Sequence, residues 1–331
     1  PEVSSTTPPP ISGQTTPPTV CHAEPMTGLK VRIGYGIGAA TGLLATPNGL
    51  GRVVDDLDRL RYDSLWFPER VNSPQLDPIV AMGYVAGRSE RLKFGPAVSV
   101  VPGRNPILMA KMLASLDLVS NGRCHPAFGL GIANTAEHQA FQVERKERAP
   151  WIEEALPLMR RLWTEDEVDH LGERFSIAGA SVLPKPVQDP FEVWLGGAAP
   201  SELRRTGRLA DGWLASFTTP AHVAEGIATI EGAAAGAGRT MDPEHYGVLI
   251  PYLPGAGESE LSDVLRQVVA ARKPDADPHQ VVATSHARIE TLVKEYLSVG
   301  ASKFVLFPFG EPPDWTAELE ALAQVALPLQ T

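Results

Sequence analysis

The sequence predicts an α/β fold, a (β/α)8 barrel, on three observations. Eight short apolar runs alternate with helical patterns across residues 29–331. Several runs are apolar on both faces, as parallel strands covered by helices are. The helical patterns open on a capping residue followed by proline, whose missing N–H costs nothing in a first turn. An open doubly wound sheet is the competing architecture, because periodicity alone does not show closure.

The apolar runs are 31–37, 64–67, 92–101, 123–130, 192–195, 212–216, 246–253 and 303–307. The first ends in Gly34-Tyr35-Gly36-Ile37-Gly38-Ala39, which matches a G-x-G-x-x-A dinucleotide spacing. That fingerprint needs a helix to start at once. Here 41–51 is rich in Gly and carries a Pro, so a loop over the barrel mouth is the better reading. Asp77-Pro78, Asn105-Pro106 and Thr219-Pro220 mark helix starts. Ile107, Ala110, Leu113 and Leu116 sustain a helix that Asn121-Gly122 ends. Residues 151–163 and 315–327 carry two further helical patterns. Insertions are expected before strand 5, where 167–190 reads as a small hairpin with extended segments, and between strands 7 and 8, at 253–287.

Residues 1–28 form a Pro/Thr-rich tail with too few large apolar side chains to offset its ordering entropy, and they read as disordered. Residues 29–331 read as a single domain. Met26 fits a natural start with the tail as an extension; a spacer left after export is the alternative. Acidic residues number 39 against 29 basic, a net charge of −10 with no basic run, which argues against nucleic acid as a partner. No stretch approaches the length of apolar residues that spans a bilayer. Cys21 and Cys124 are the two cysteines, too few for a disulfide framework or a metal site. A cytoplasmic protein without a metal is the expectation.

Chemistry-bearing segments cluster at the predicted C-terminal ends of strands, the catalytic edge of a barrel. Trp66-Phe67-Pro68-Glu69-Arg70 places a carboxylate and a guanidinium after strand 2. Phe128-Gly129-Leu130-Gly131-Ile132-Ala133-Asn134 follows strand 4; its glycines admit a flat ring or a phosphate, or simply pack a loop closely. Leu195-Gly196-Gly197-Ala198-Ala199-Pro200 joins strand 5 to a helix start, where backbone N–H groups favour an anion. His125 and His245 fall at strand starts, the stability face, while His138 follows the fourth loop. Patterns for zincins, α/β-hydrolases and P-loop enzymes are missing.

Taken in order, these segments resemble the bacterial luciferase-like flavin and deazaflavin oxidoreductases. The resemblance is carried by Asp63-Ser64-Leu65-Trp66-Phe67-Pro68-Glu69, the stretch from Ala114 to Arg123, Gly172-Glu173-Arg174-Phe175, Val193-Trp194-Leu195-Gly196-Gly197 and the stretch from Arg204 to Trp213. It implies a TIM barrel of that type, most similar to the branch that uses coenzyme F420, with FMN as the alternative cofactor. The ring-contacting carboxylate falls on Glu69, and the non-proline cis peptide behind the ring falls on Ala97 and Val98. Contacts after strand 4 fall on Gly131, Ile132 and Ala133, and those near the phosphate on Gly196, Gly197, Ala198 and Ala199.

The departures are informative. Where the branch's glucose-6-phosphate dehydrogenase has an active-site His, this chain has Arg70, which does not deprotonate at neutral pH. Its catalytic Glu position holds Asn134, and its sugar-phosphate lysine aligns near Thr219. Glucose 6-phosphate is therefore not the expected substrate. Glu69, Arg70, Asn134 and His138 remain the candidate catalytic residues, and hydride transfer between the deazaflavin C5 and a small organic substrate is the implied reaction. An FMN monooxygenase fed by a partner flavin reductase is the alternative, since reduced FMN reacts with oxygen far more readily than the deazaflavin does. A flavin- or deazaflavin-binding protein without turnover is the third reading. Members of the family are often homodimers.

Overall fold

A computed structural model describes residues 28–331 apart from 39–45, 47, 133–134, 256, 258–259 and 273–275. The tail up to residue 27 and the candidates Ala133 and Asn134 lie outside the described residues. Nine parallel strands form one sheet: β1 (Arg32–Gly36), β2 (Ser64–Phe67), β3 (Lys93–Pro96), β4 (Ser99–Val100), β5 (Ala127–Gly129), β8 (Trp194–Gly196), β9 (Gly212–Ser216), β10 (Tyr246–Tyr252) and β11 (Lys303–Pro308). β6 (Val168–Leu171) and β7 (Ser176–Ala180) pair separately as an antiparallel hairpin ahead of β8.

The expected run 92–101 is one stave broken into β3 and β4 by the cis peptide Ala97–Val98. β3 pairs with β2, and β4 pairs with β5. A bridge between Phe94 and Cys124 joins the two ends of the sheet, with Phe94 N–H donating to Arg123 O at 3.0 Å and His125 N–H to Phe94 O at 2.9 Å. The nine strands thus make eight staves, and the barrel closes.

Helices cover the outside: α1 (Gly49–Leu60), α2 (Pro78–Arg88), α3 (Pro106–Ser120), α4 (Thr135–Phe141), α5 (Arg145–Thr164), α6 (Pro200–Leu209), α7 (Pro220–Gly236), α8 (Asp263–Arg272), α9 (His286–Leu297) and α10 (Trp315–Ala326). Asp77, Asn105 and Thr219 each accept a first-turn N–H through the side chain, as the Xaa-Pro pairs predict. α3 stops at Asn121, whose φ of 55° is left-handed. α5 starts ahead of the apolar pattern that announces it, because its first turns carry polar residues. Among the described residues, no helix is long and apolar enough to cross a membrane.

Strand alternation sorts the core into two layers. Leu65, Phe67, Phe128, Trp213, Val248, Ile250 and Phe304 pack outward against the helices. Trp66, Ala127, Trp194, Leu214 and Val305 point into the barrel, with Leu249, Ala97 and Val98 against them. The two indoles fill the lower interior because neighbouring staves make room. A Cβ on Gly95 would stand 2.7 Å from the Trp66 ring, and one on Gly212 would stand 2.4 Å from the Trp194 ring.

The lower mouth is rimmed by ionisable side chains that lie close to one another. Asp63 lies 3.6 Å from Arg32 and 3.3 Å from Lys93, Lys303 is 3.6 Å from Glu244, and His245 is 3.6 Å from Glu192. His125 belongs to this end, where its buried Nε2 has no hydrogen-bond partner among the described residues. Burial, reinforced by Lys93, pushes its imidazole down to about 4. The native ring therefore stays neutral while the unfolded ring takes up a proton near pH 6.5. This group's stabilising contribution is complete above pH 6.5 and is lost as the pH falls toward 4. Between pH 7 and 4.5, His125→Gln should lose about 2–3 kcal/mol less stability than the parent in urea titrations. Parallel losses in the two proteins would show that His125 does not drive the acid sensitivity.

Candidate functional site at the C-terminal mouth of the barrel

Above the two indoles, the C-terminal ends of the staves enclose a cavity of about 530 Å³. A second lobe of about 240 Å³ adjoins it, and Arg70, Ala97, Ser216, Phe217 and Leu249 line both. The first lobe has a flat apolar wall at the cis Ala97–Val98 unit, faced by Leu130, Gly131 and Ile132 on one side and Gly196–Pro200 on the other. Most residues named from the sequence therefore converge: Arg70, Ala97, Val98, Gly131, Ile132 and Gly196 through Ala199 share one cavity.

Glu69 sits behind it. The carboxylate is 4% exposed and does not line either lobe. It accepts from Val100 N–H at 2.6 Å and pairs closely with Arg104. Burial raises its pKa, opposed by the Arg104 charge and the Val100 hydrogen bond. Arg104 in turn stacks over Phe141 at the end of α4, 5.4 Å from the ring centroid. The loops after β2, β4 and β5 are tied together by these contacts. His138 is exposed on α4, with Nε2 3.7 Å from Glu144, and does not reach the cavity lining.

Two further posts hold the walls. Buried Arg148 of α5 donates to Leu130 O at 3.3 Å and Ile132 O at 2.9 Å, fixing the loop after β5. Trp213 Nε1–H donates to Gly197 O at 2.8 Å, fixing the turn after β8. Gly197 has φ of 111°, a conformation that suits glycine. The turn presents the N–H groups of Ala198 and Ala199 at the start of α6, where both donate to Glu202 Oε2 at 3.0 Å. Paired backbone donors at a helix start favour an anion, and here the carboxylate of Glu202 is the anion they hold.

The second lobe is walled by Ile37, Trp66, Leu249 and Val268 together with the edge-packed rings of Phe217, Phe307 and Phe309. Val268 comes from α8, in the expected insertion between strands 7 and 8. Across both lobes, Arg70 and Glu202 are the ionisable groups among the described residues.

Arg104, Arg148, Glu202, Phe217 and Phe309 were not legible as site residues. Glu202 had a signal, since an acid three residues past a helix cap is the capping-box position. Arg148 had none, because its partners are backbone carbonyls on another element.

The family profile described as luciferase-like monooxygenase matches residues 27–305. A phthiodiolone/phenolphthiodiolone dimycocerosates ketoreductase of Mycobacterium sp. (strain JLS) is 29% identical over 245 residues, covering 65% of this chain and 63% of its own. The chain spans about half the length of other curated relatives it matches, 51% in one case from Mycobacterium bovis. An F420-dependent secondary alcohol dehydrogenase, solved with an F420–acetone adduct, superposes with a TM-score of 0.75 at 17% identity, covering 92% of this chain and 100% of that one. The oxygenating constituent of 3,6-diketocamphane monooxygenase from Pseudomonas putida, solved with FMN, gives 0.72 at 16% identity, covering 91% and 99%. The two solved structures share the barrel.

Replacing Arg104 with Met would leave the Glu69 carboxylate buried without its counter-charge. Urea denaturation should show a loss of about 3 kcal/mol, and adding Glu69→Gln should restore more than half of it. A loss under about 1 kcal/mol would mean the pair contributes no more than an exposed bridge.

Proposed function

This chain belongs to the luciferase-like monooxygenase family, and on that premise we propose that it is an oxidoreductase using coenzyme F420. The proposed reaction moves a hydride between the deazaflavin C5 and a small organic substrate. The observation that carries this reading is the two-lobed cavity: one lobe with a flat wall and backbone donors, the other apolar with one guanidinium.

The residues present fit such a group. Ala97 and Val98 offer a smooth face to a planar ring, and Leu130 through Ile132 border it. Ala198 and Ala199 would donate to its phosphate once Glu202 swings aside, the α6 dipole favouring the anion. When bound, the deazaflavin supplies a two-electron hydride donor or acceptor. The remaining work belongs to the chain. The apolar walls exclude water, and Arg70 faces the junction of the lobes, where it stabilises negative charge developing on a substrate. Asn134, two residues past Ile132 in the sequence, is proposed to orient the substrate.

The direction follows from the lining. Among the described lining residues Glu202 is the one candidate base, and its carboxylate is held by the N–H groups of Ala198 and Ala199 at the start of α6, so none stands beside Arg70 at the junction of the lobes to take a hydroxyl proton. Reduction of an activated C=C or C=O suits it better than alcohol oxidation, with water supplying the proton.

A homodimer is proposed through the outer faces of α2 and α3. Val80 and Tyr84 on α2, with Leu108, Met112 and Val119 on α3, form adjacent apolar stripes; Leu108 and Val119 are 64% and 68% exposed. Two copies related by a twofold axis would cover the same stripes on each other.

Fluorescence titration with F420 and with FMN tests the cofactor. Binding of F420 at least tenfold tighter than FMN is expected. A preference for FMN would move the reading to oxygen chemistry with a partner reductase, and binding of neither would overturn it. In sedimentation equilibrium the parent should run as a dimer, and the double variant Leu108→Glu/Val119→Glu as a monomer. A monomeric parent would overturn the homodimer, and a dimer that survives both changes would place the contact elsewhere.

A further inference from the structure

Arg70 is set apart from the other arginines by its partners. Half-buried or buried arginines elsewhere either pair with carboxylates, as Arg91, Arg160 and Arg205 do, or spread over three backbone carbonyls, as Arg123 does. Half-buried Arg70 makes one hydrogen bond, from Nη1 to its neighbour's Glu69 O at 2.8 Å, and has no carboxylate partner among the described residues. Glu69, the adjacent acid, is already held by Arg104 and Val100 N–H. A guanidinium offers five N–H donors in a fork matched to a carboxylate. One that is partly desolvated without a counter-charge calls for an anion.

The position of Arg70 says which anion. It lines both lobes, so a group it binds sits at their junction. Beyond the junction, the second lobe offers Phe217, Phe307, Phe309, Ile37 and Val268 and no other charge. Its other polar groups are Gln75, which is engaged with Gly38 O, and Ser216 at the junction. A sugar phosphate would find neither a second cation nor a set of hydroxyl partners there.

We propose that the substrate is an apolar α,β-unsaturated carboxylic acid, its carboxylate on Arg70 and its hydrocarbon body in the aromatic lobe. This rests on the oxidoreductase reading above and names the substrate class for the same site. A reduced deazaflavin, when bound, would supply a hydride to the β-carbon, and the C=C pair would move onto the α-carbon and its conjugated carboxylate. Arg70 faces that charge until a proton from water completes the saturated acid.

Calorimetric titration with trans-cinnamate, cinnamamide and glucose 6-phosphate, with and without F420, provides the test. Cinnamate should bind at least tenfold tighter than cinnamamide, and glucose 6-phosphate should bind more weakly than either. Arg70→Gln should erase the acid-over-amide preference while leaving F420 affinity within about twofold, and Arg70→Lys should retain part of the preference. Equal binding of acid and amide by the parent would overturn the proposal without any variant. So would a tenfold loss of F420 affinity in Arg70→Gln with the acid preference intact, since the guanidinium would then serve the cofactor. If the parent binds cinnamate selectively through Arg70 but binds no F420, the cofactor reading fails and the carboxylate site stands.

Discussion

The filling of the barrel by Trp66 and Trp194 is the constraint on which the rest depends. Both indoles point inward, Trp66 from β2 and Trp194 from β8 three staves away, and glycines on neighbouring staves leave the space they occupy. The indoles fill the barrel interior, as side chains do in a packed barrel core. Open volume is pushed to the two mouths, one rimmed by ionisable side chains and the other by loops and small residues. The break between β3 and β4 sits directly above this plug, so the flat wall at Ala97–Val98 rests on a solid floor.

A cavity built from loops needs those loops held, and here the holding groups lie outside it. Arg104 binds the buried Glu69, Arg148 gathers the carbonyls after β5, and Trp213 anchors Gly197. Arg148 and Trp213 join a loop to a helix or strand that the barrel already fixes, and Arg104 joins two loops to each other, which reduces the freedom the loops have to lose when a ligand binds. The charges spent on support are therefore withdrawn from the lining, which keeps only Arg70 and Glu202 among its described residues. Under the proposed function, a lining this poor in acids and bases would act by orientation and exclusion of water, with electron transfer left to the bound group.

Glu202 shows how one element serves two ends. Its carboxylate completes the N-terminal turn of α6 by accepting from Ala198 and Ala199. The same two donors are the anion site that the family resemblance assigns to phosphate. Self-capping satisfies the N–H groups of this turn, and the Glu202 side chain is partly exposed.

Much of the fold was legible because its signals are local. Strand runs, Xaa-Pro caps and the Asn121-Gly122 stop depend on residues within a turn or two of each other, and all recur in the structure. The glycine loops after β5 and β8 were legible too, since small residues past a buried strand mark a close backbone approach. The break in the stave at Ala97–Val98 entered through the family resemblance, as apolar residues run on unchanged across it. Partner choice was decided only by closure. Nothing near Glu69 in the chain announces Arg104, and nothing near Ile132 announces Arg148. Phe217, Val268 and Phe309 come from three separate elements and become one wall only when the staves are wound into a ring. His138 sits beside a cavity-lining loop in the chain yet is exposed on α4 and does not reach the cavity. Sequence periodicity specifies which face of an element is buried; which buried faces meet, and what lies between them, is set by the tertiary structure.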